Sequence, residues 1–255
     1  MRDRLAAVGA RLAPHRRPLG IGAAIVVVVV IAAVVAVVAL RGAGEEPNMH
    51  GYDDTVVSIS DIPARAFIGW EQVEPGPRPS PATTPDGMSV ADKPDCVPGG
   101  VKQRAAENLV LSGDMWGSSK FVNPGFASTM TVAVSNSPNT DVTALDKWLN
   151  DCADITADVD NDSGAPGQQH VTLSSLPIEP AFYRLDLARV YAQTVTDADD
   201  HTITRLVGYG QSKGLTLQVV YTFPGAVTDE SIQQLDVVWR AQAAKLVGMQ
   251  EAGKA

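Results

Sequence analysis

A serine-centred pattern near the C-terminus is the first candidate for chemistry. Residues 210–214 read G-Q-S-K-G and match the G-x-S-x-G motif of serine hydrolases. In those enzymes a turn between a strand and a helix exposes the serine, and an acidic residue and a histidine follow along the chain. Here the motif lies between two predicted strands, and no histidine follows His201. We therefore interpret it as a β-turn and predict no serine hydrolase.

Two acidic segments could bind a metal ion. Residues 158–164 read D-V-D-N-D-S-G and resemble the start of an EF-hand loop. However, Ser163 and Gln169 occupy the positions that require a glycine and a bidentate acid. Residues 197–201, D-A-D-D-H, collect three carboxylates and an imidazole, but polar turns favour the same residue types. We predict solvated acidic loops and no bound metal.

The remaining histidines and carboxylates form no catalytic pattern. Only His170 and His201 lie in the part expected to fold, so a three-histidine metal site cannot form. His170 could start a strand and pair with a carboxylate. Two carboxylates at a suitable separation could make a hydrolase, but nothing in the sequence selects a pair. We expect no catalysis and no cofactor, with a carboxylate-based hydrolase as an alternative.

Cysteine chemistry is limited to two residues, Cys96 and Cys152. A C-x-x-C spacing is absent and no histidine lies beside either cysteine, which disfavours a redox or metal site. In an oxidising compartment such a pair is most simply a disulfide. In the chain-entropy model, closing a loop of this length would stabilise the fold by about 4 kcal/mol.

The strongest strand pattern that would position these residues lies near the C-terminus. Segments 181–196, 201–211 and 215–223 are joined by D-A-D-D and S-K-G, which predicts an antiparallel three-strand meander. The last segment has an apolar face with a period of two: Leu215, Leu217, Val219, Tyr221 and Phe223. In the first segment we expect one side to carry Leu185, Leu187 and Tyr191 and the other to carry Asp186, Ala188 and Thr194. Residues 126–135 alternate in the same way, and T-V-V-S-I at 55–59 could be a first strand.

Helical spacing occurs in two further segments. Around residues 142–152, one helix face carries Val142, Leu145, Trp148, Leu149 and Cys152. Thr140 or Asp141 could cap this helix. The closing segment 228–246 has Thr228 as N-cap and a single apolar stripe: Ile232, Leu235, Val238, Trp239 and Leu246. Residues 101–111 could also be helical. The fold class is therefore predicted as α+β, an antiparallel sheet packed by at least two helices, preceded by one N-terminal transmembrane helix.

The N-terminal region predicts that transmembrane helix. Residues 19–40 carry no charge, and a helix of that length spans about 33 Å. Five arginines precede this segment, so the N-terminus should lie in the cytoplasm. The small residues Val37-Val38-Ala39 leave a cleaved signal peptide as the alternative.

The predicted organisation has five parts. These are a basic cytoplasmic tail (1–18), the transmembrane helix (19–40), a juxtamembrane linker (41–54), an extracytoplasmic α+β domain (55–247) and a C-terminal tail (248–255).

Charge excludes one class of partner. The first 41 residues carry six arginines and one aspartate, a formal charge of +5. Because the whole chain carries −9, residues 42–255 carry −14. An acidic exterior repels phosphate backbones, which argues against nucleic-acid binding.

The order of these features resembles a known class of proteins. An arginine-rich tail, a Val/Ala-rich anchor, a proline-rich segment, a W-x-x-x-C helix at 148–152, a meander and a closing helix with Trp239 follow one another. The chain resembles the extracytoplasmic domains of actinobacterial, mycobacterial-type envelope proteins. These include PsbP-like lipoproteins and the sensor domains of receptor serine/threonine kinases. The resemblance implies a module that binds a ligand or partner between membrane and cell wall.

We therefore expect a single-pass protein of the cell membrane whose extracytoplasmic domain engages an envelope protein or a lipid, without catalysis. A structural accessory subunit of a membrane complex is the other alternative besides the hydrolase. An apolar cavity in the domain would favour a lipid, whereas an exposed apolar patch would favour a protein.

Overall fold

A computed structural model describes most of the predicted extracytoplasmic domain. The described residues are 52–73, 84, 87–111, 115–137, 142–160, 166–177 and 183–252. The predicted tail 1–18, transmembrane segment 19–40 and most of the linker 41–54 lie outside them. Within the described ranges, no helix combines the length and the apolar character needed to cross a bilayer.

The domain is built on one antiparallel sheet. Over the described residues it has nine strands: β1 (Glu71–Val73), β2 (Met88–Ser89), β3 (Trp116–Asn123), β4 (Ser128–Ser135), β5 (Asp154–Asp160), β6 (Pro166–Leu176), β7 (Leu187–Asp197), β8 (Thr202–Ser212) and β9 (Leu215–Pro224). Their spatial order is β1-β3-β4-β9-β8-β7-β6-β5-β2, and each neighbouring pair is antiparallel. The predicted meander β7–β8–β9 is therefore confirmed, and it forms the centre of the sheet.

Three α-helices lie against this sheet in the described part of the chain: α1 (Val101–Leu111), α2 (Thr143–Asp151) and α3 (Asp229–Glu251). The α3 helix covers one face, which we call the front face. The α1 and α2 helices cover the other, which we call the back face. An antiparallel sheet packed by helices confirms the predicted α+β class.

The front face contains the predicted apolar row of β9. All five of its side chains are buried against α3, whose Leu235, Val238, Trp239 and Leu246 form the facing stripe. The indole ring of Trp239 lies on Gly208, where a Cβ would stand only 3.2 Å from the ring. Thr228 caps the helix as predicted, because its side-chain oxygen accepts a hydrogen bond from the Ser231 backbone N–H at 3.1 Å.

The back face contains the predicted Trp-Cys helix. In α2, Leu145, Trp148 and Leu149 are buried against the sheet, and Cys152 directly follows the helix. A disulfide joins Cys152 to Cys96, with their Cα atoms 5.4 Å apart, as predicted. The N-cap is Val142, without a side-chain hydrogen bond, and the predicted caps Thr140 and Asp141 lie outside the described residues.

The predicted first strand at 55–59 is wrong. Short 3-10 turns occupy Asp53–Thr55 and Ile59–Asp61, and Val56 and Val57 are buried in the front core. The Val57 N–H donates to Gln242 Oε1 at 2.9 Å, and Gln242 Nε2 donates to the Thr55 carbonyl at 2.8 Å. A side chain of α3 thus satisfies backbone groups that a strand would have paired with a neighbouring strand.

The sides predicted for the first meander strand need correction as well. The strand begins at Leu187 rather than at residue 181. Leu187 and Tyr191 pack on the back face as a pair, but Leu185 and Ala188 are buried in the front core. A central strand is covered on both faces, so an alanine on the predicted polar side is buried too.

The Gln242 bridge leads to a stability prediction. Gln242→Leu leaves the Val57 N–H and the Thr55 carbonyl buried without partners, which should lower the free energy of unfolding by about 2–4 kcal/mol. Urea unfolding measures the change. Gln233→Leu, at an exposed position of the same helix, is the matched control and should change stability by less than about 0.5 kcal/mol. If the two substitutions lower the free energy of unfolding equally, the hydrogen bonds of Gln242 to Val57 and Thr55 do not stabilise the fold.

The disulfide gives a second prediction. The double variant Cys96→Ser/Cys152→Ser should lose about 4 kcal/mol of unfolding free energy, because the 56-residue separation is no longer closed in the unfolded chain. Reducing the parent chain should produce a loss of the same size in denaturant titrations. Unchanged unfolding midpoints would argue that the crosslink does not constrain the fold.

Candidate functional site

The G-x-S-x-G motif forms a hairpin turn, as predicted. Ser212 ends β8, and Lys213 and Gly214 follow with φ of 46° and 84°. The Ser212 hydroxyl donates to Gln250 Oε1 at 2.9 Å, while Gln250 Nε2 donates to the Ser212 carbonyl at 2.8 Å. The serine therefore fastens the turn to α3.

The D-A-D-D-H segment is the tip of the β7–β8 hairpin. Asp197 Oδ1 accepts hydrogen bonds from the backbone N–H groups of Asp199 and His201, both at 2.9 Å. His201 Nδ1 lies 3.2 Å from Asp197 Oδ2. The carboxylate of Asp197 thus serves the turn, which confirms the interpretation as turn chemistry. Among the described residues, no three His, Cys, Asp or Glu side chains are grouped as metal ligands would be.

The remaining predicted polar residues lie on β5 and β6. Asp158 Oδ1 accepts a hydrogen bond from Gln168 Nε2 at 3.0 Å, and residues 161–165 of the EF-hand-like segment lie outside the described residues. His170 lies within β6, with its Nε2 2.9 Å from Asp154 Oδ1. The predicted pairing of this histidine with a carboxylate is confirmed, and both partners are largely exposed.

Two large apolar side chains project from the sheet beside the β3–β4 turn. Ile68 is 77% exposed and Phe126 is 72% exposed. Their two segments are neighbours in space. Gly69, which follows Ile68, and Gly125, which precedes Phe126, both lie against the side chain of Asn123, the last residue of β3. A Cβ at Gly69 or at Gly125 would stand 3.5 Å from the side chain of Asn123. We call Ile68 and Phe126 the contact tip.

Buried aromatic rings fix the segment that carries Ile68. Phe67 stacks on Trp70 with a centroid separation of 4.8 Å and meets Phe121 edge-on at 5.4 Å. Trp70 in turn contacts Tyr221 of β9 at 5.8 Å. Gly69 has a φ of 78°, a backbone conformation that favours glycine. Ile68 is therefore exposed between Phe67 and Trp70, whose rings are anchored in the core.

The contact tip lies at one end of β3, and the chain enters the domain at the other. The carbonyl oxygen of Tyr52, the first described residue, would be 2.4 Å from a Cβ at Gly117, near the start of β3. Eight residues of β3 separate the two ends, a distance of roughly 24 Å.

A polar cluster is buried under α1. The carboxylate of Glu107 accepts hydrogen bonds from Arg205 Nη1 of β8 and from Gln103 Nε2. The hydroxyl of Tyr191 on β7 also hydrogen-bonds this carboxylate. Burial, together with the negative charge of Glu107, holds the pKa of Tyr191 well above its usual range. Desolvation by itself would lower the pKa of Arg205, but attraction and hydrogen bonding to Glu107 and Tyr191 together outweigh it and raise that pKa, so the guanidinium stays charged.

Two cavities of the described residues bear on lipid binding. One of about 10 Å³ lies beside the polar cluster, lined by residues that include Glu107, Tyr191 and Tyr209. It has room for about one water molecule. The other, of about 350 Å³, is an open groove lined mostly by charged side chains beside Cys96. Neither is an apolar cavity for an acyl chain.

No family model and no curated protein sequence matches this chain. Among solved structures, the chain is similar to the extracellular domain of PknH from Mycobacterium tuberculosis. The two share 14% sequence identity with a TM-score of 0.46, and the match covers 82% of this chain and 100% of that one. At this level the likeness assigns neither a family nor a function. The resemblance to PsbP-like lipoproteins stays a prediction.

Sequence reasoning did not find the contact tip or the polar cluster. Phe126 was included at the start of a predicted strand, but β4 begins at Ser128. Glu107 and Arg205 are 98 residues apart, and neither belongs to a motif. One signal was available: the sequence P-G-F at 124–126 is a turn that contains an aromatic residue.

Buried tyrosines give a pH prediction. Burial raises the pKa of Tyr209 to about 12. Burial and the hydrogen bond to Asp236 raise the pKa of Tyr183 to about 12 as well. Because folding favours the neutral phenols, their stabilisation is complete below pH 10 and should be lost as the pH rises from about 10 to 12.

Urea unfolding at stepped pH, with tyrosine absorbance at 295 nm, measures this loss. Tyr209→Phe should weaken the alkaline dependence. If the stability of Tyr209→Phe falls with rising pH as steeply as that of the parent chain, the Tyr209 phenol does not contribute to the loss.

Proposed function

We propose that this chain is a single-pass membrane protein whose extracytoplasmic domain binds a partner protein of the cell envelope through the contact tip, without catalysis. The observation that carries the proposal is the high exposure of Ile68 and Phe126 on neighbouring segments, with Ile68 flanked by buried aromatic rings. Exposed aromatic and aliphatic side chains held by a fixed scaffold form interface anchors, because little conformational entropy is lost on binding.

The charge of the domain supports a protein partner over a lipid surface. The chain beyond residue 41 carries a formal −14, which opposes approach to anionic headgroups. The two cavities described above are too small or too polar for an acyl chain. A protein with an apolar pocket would bury the two side chains without that electrostatic cost.

The chemistry-bearing residues of the sequence support a binding role as well. Ser212 fastens a turn, Asp197 organises a hairpin tip, and both cysteines form the disulfide. Each of these groups has a structural task that explains its presence. A disulfide also suits the oxidising side of a membrane, in keeping with the anchor predicted from residues 19–40.

Site-specific photocrosslinking in the native cell tests the proposal. A photoreactive phenylalanine analogue at position 126 should give a crosslinked protein of defined mass, and Ile68→Ser should reduce its yield at least tenfold. Position 115 is the matched control, since Met115 is also apolar and 42% exposed but precedes the opposite end of β3. We expect no such product there.

Three outcomes would overturn the proposal. They are no product at position 126, the same product at positions 115 and 126, or crosslinks at position 126 to lipid alone. The last outcome would mean that the contact tip inserts into a membrane surface.

A further inference from the structure

The first two turns of α1, residues 101–107, are held on the sheet differently from the other two helices. Their buried described side chains are Gln103, Ala106 and Glu107, which occupy one face at positions i, i+3 and i+4. The equivalent faces of α2 and α3 bury leucine, valine and tryptophan. Of the side chains described on α1, those that face the sheet therefore contribute mostly polar contacts and little apolar burial.

These polar contacts centre on the carboxylate of Glu107. Arg205, Tyr191 and Gln103 all hydrogen-bond it, and the amides of Gln103 and Gln193 bond each other at 3.3 Å. Buried ion pairs contribute little net stability, because removing both charges from water offsets most of their attraction. Over residues 101–107, whose side chains are described, the position of α1 is thus specified by polar geometry more than by hydrophobic free energy.

Three of the groups that surround Glu107 belong to the sheet and not to α1. Arg205 lies on β8, and Tyr191 and Gln193 lie on β7. If α1 moved away, a guanidinium, a phenol and an amide would remain side by side on the back face. A guanidinium donates in a planar fork that matches a carboxylate, and the phenol adds a third donor. The Arg205 side chain is already 25% exposed, so solvent reaches it in the closed state.

Two buried glycines form the segment before α1. Gly99 and Gly100 immediately precede the helix, and Gly99 has a φ of 72°. The disulfide at Cys96 holds the chain on the other side of these glycines. Rotation about the two glycines would move α1 without moving the disulfide. It must break the hydrogen bond from the Gly99 N–H to Gln103 Oε1 at 2.8 Å and the ion pair of Lys102 with Asp151 of α2 at 3.0 Å.

We propose that α1 is a displaceable cover over a carboxylate-binding site on the back face, and that Glu107 fills this site in the closed state. Ligands of the site carry an accessible carboxylate, such as the C-terminus of a peptide. The site is separate from the contact tip and does not depend on the function proposed above.

Glu107→Ala in the full chain empties the site and tests its chemistry. N-acetylglycine, the probe carboxylate, should raise the Tm of this variant by about 3–6 °C at ten times its Kd. Sodium chloride at equal ionic strength should not. In the double variant Glu107→Ala/Arg205→Met the shift should disappear. The parent chain should bind the probe at least tenfold more weakly, because its own Glu107 competes.

The proposal fails if N-acetylglycine does not shift the folded Glu107→Ala variant, if the double variant shifts equally, or if inorganic phosphate shifts it and N-acetylglycine does not. Glu107→Gln keeps the side-chain volume and takes the place of Glu107→Ala if that variant does not fold. Because its neutral amide still occupies the site, we expect a smaller shift in Tm than in Glu107→Ala, but a larger one than in the parent chain. In Glu107→Gln we expect the same Arg205 dependence.

Hydrogen exchange of the parent chain tests the cover independently. The amides of α1 should exchange at least tenfold faster than those of α2 and α3. If the amides of α1 exchange as slowly as those of α3, the proposal that α1 is a displaceable cover is wrong. An Ile68→Ser/Phe126→Ser variant should keep both behaviours, so failure of the contact tip and failure of this site are distinguishable.

Discussion

The central strands of this sheet have to be covered on both faces, and the rest of the architecture follows from that constraint. Leu206 and Val207 are neighbours on β8, point to opposite faces and are both fully buried. Nine strands span roughly 40 Å, whereas one helix covers about 10 Å. The helices therefore concentrate over the centre, and the edge strands β1 and β2 are only three and two residues long. Such short edges also offer little template for unwanted strand pairing.

The two covers differ in kind. On the front face, α3 inserts Trp239 and a stripe of aliphatic side chains, so its attachment is driven by removal of apolar surface from water. On the back face, α2 follows the same rule, but α1 presents Glu107 to Arg205. The back face therefore combines an apolar helix, α2, with a helix whose described buried side chains are mostly polar. In the proposal made above, the domain keeps its fold through α2 and α3 while α1 opens.

The sequence predicted those elements that can be recognised from residues close to one another in the chain. The alternation of β9 and the Thr228 cap needed only neighbouring residues, and both were predicted. Val56 and Val57 were misread as a strand because their backbone partner, Gln242, lies 185 residues from Val57. Leu185 was predicted on the side of Leu187 and Tyr191 but packs in the front core, because the strand and its period begin only at Leu187. Ala188 lies on the predicted side, but its small side chain does not reveal that both faces of the strand are buried. The contact tip and the Glu107 cluster depend on packing between distant segments, which no local period encodes.

The position of the disulfide has a consequence for α1. Cys96 lies five residues before α1, and Cys152 directly follows α2. A helix released from the sheet would remain leashed to the back face by a few residues. Its local concentration there would be of the millimolar order expected for short flexible tethers. Reclosure would then be fast and independent of protein concentration. Because β3 begins only five residues after the last residue of α1, the return would stay fast even after the disulfide is reduced.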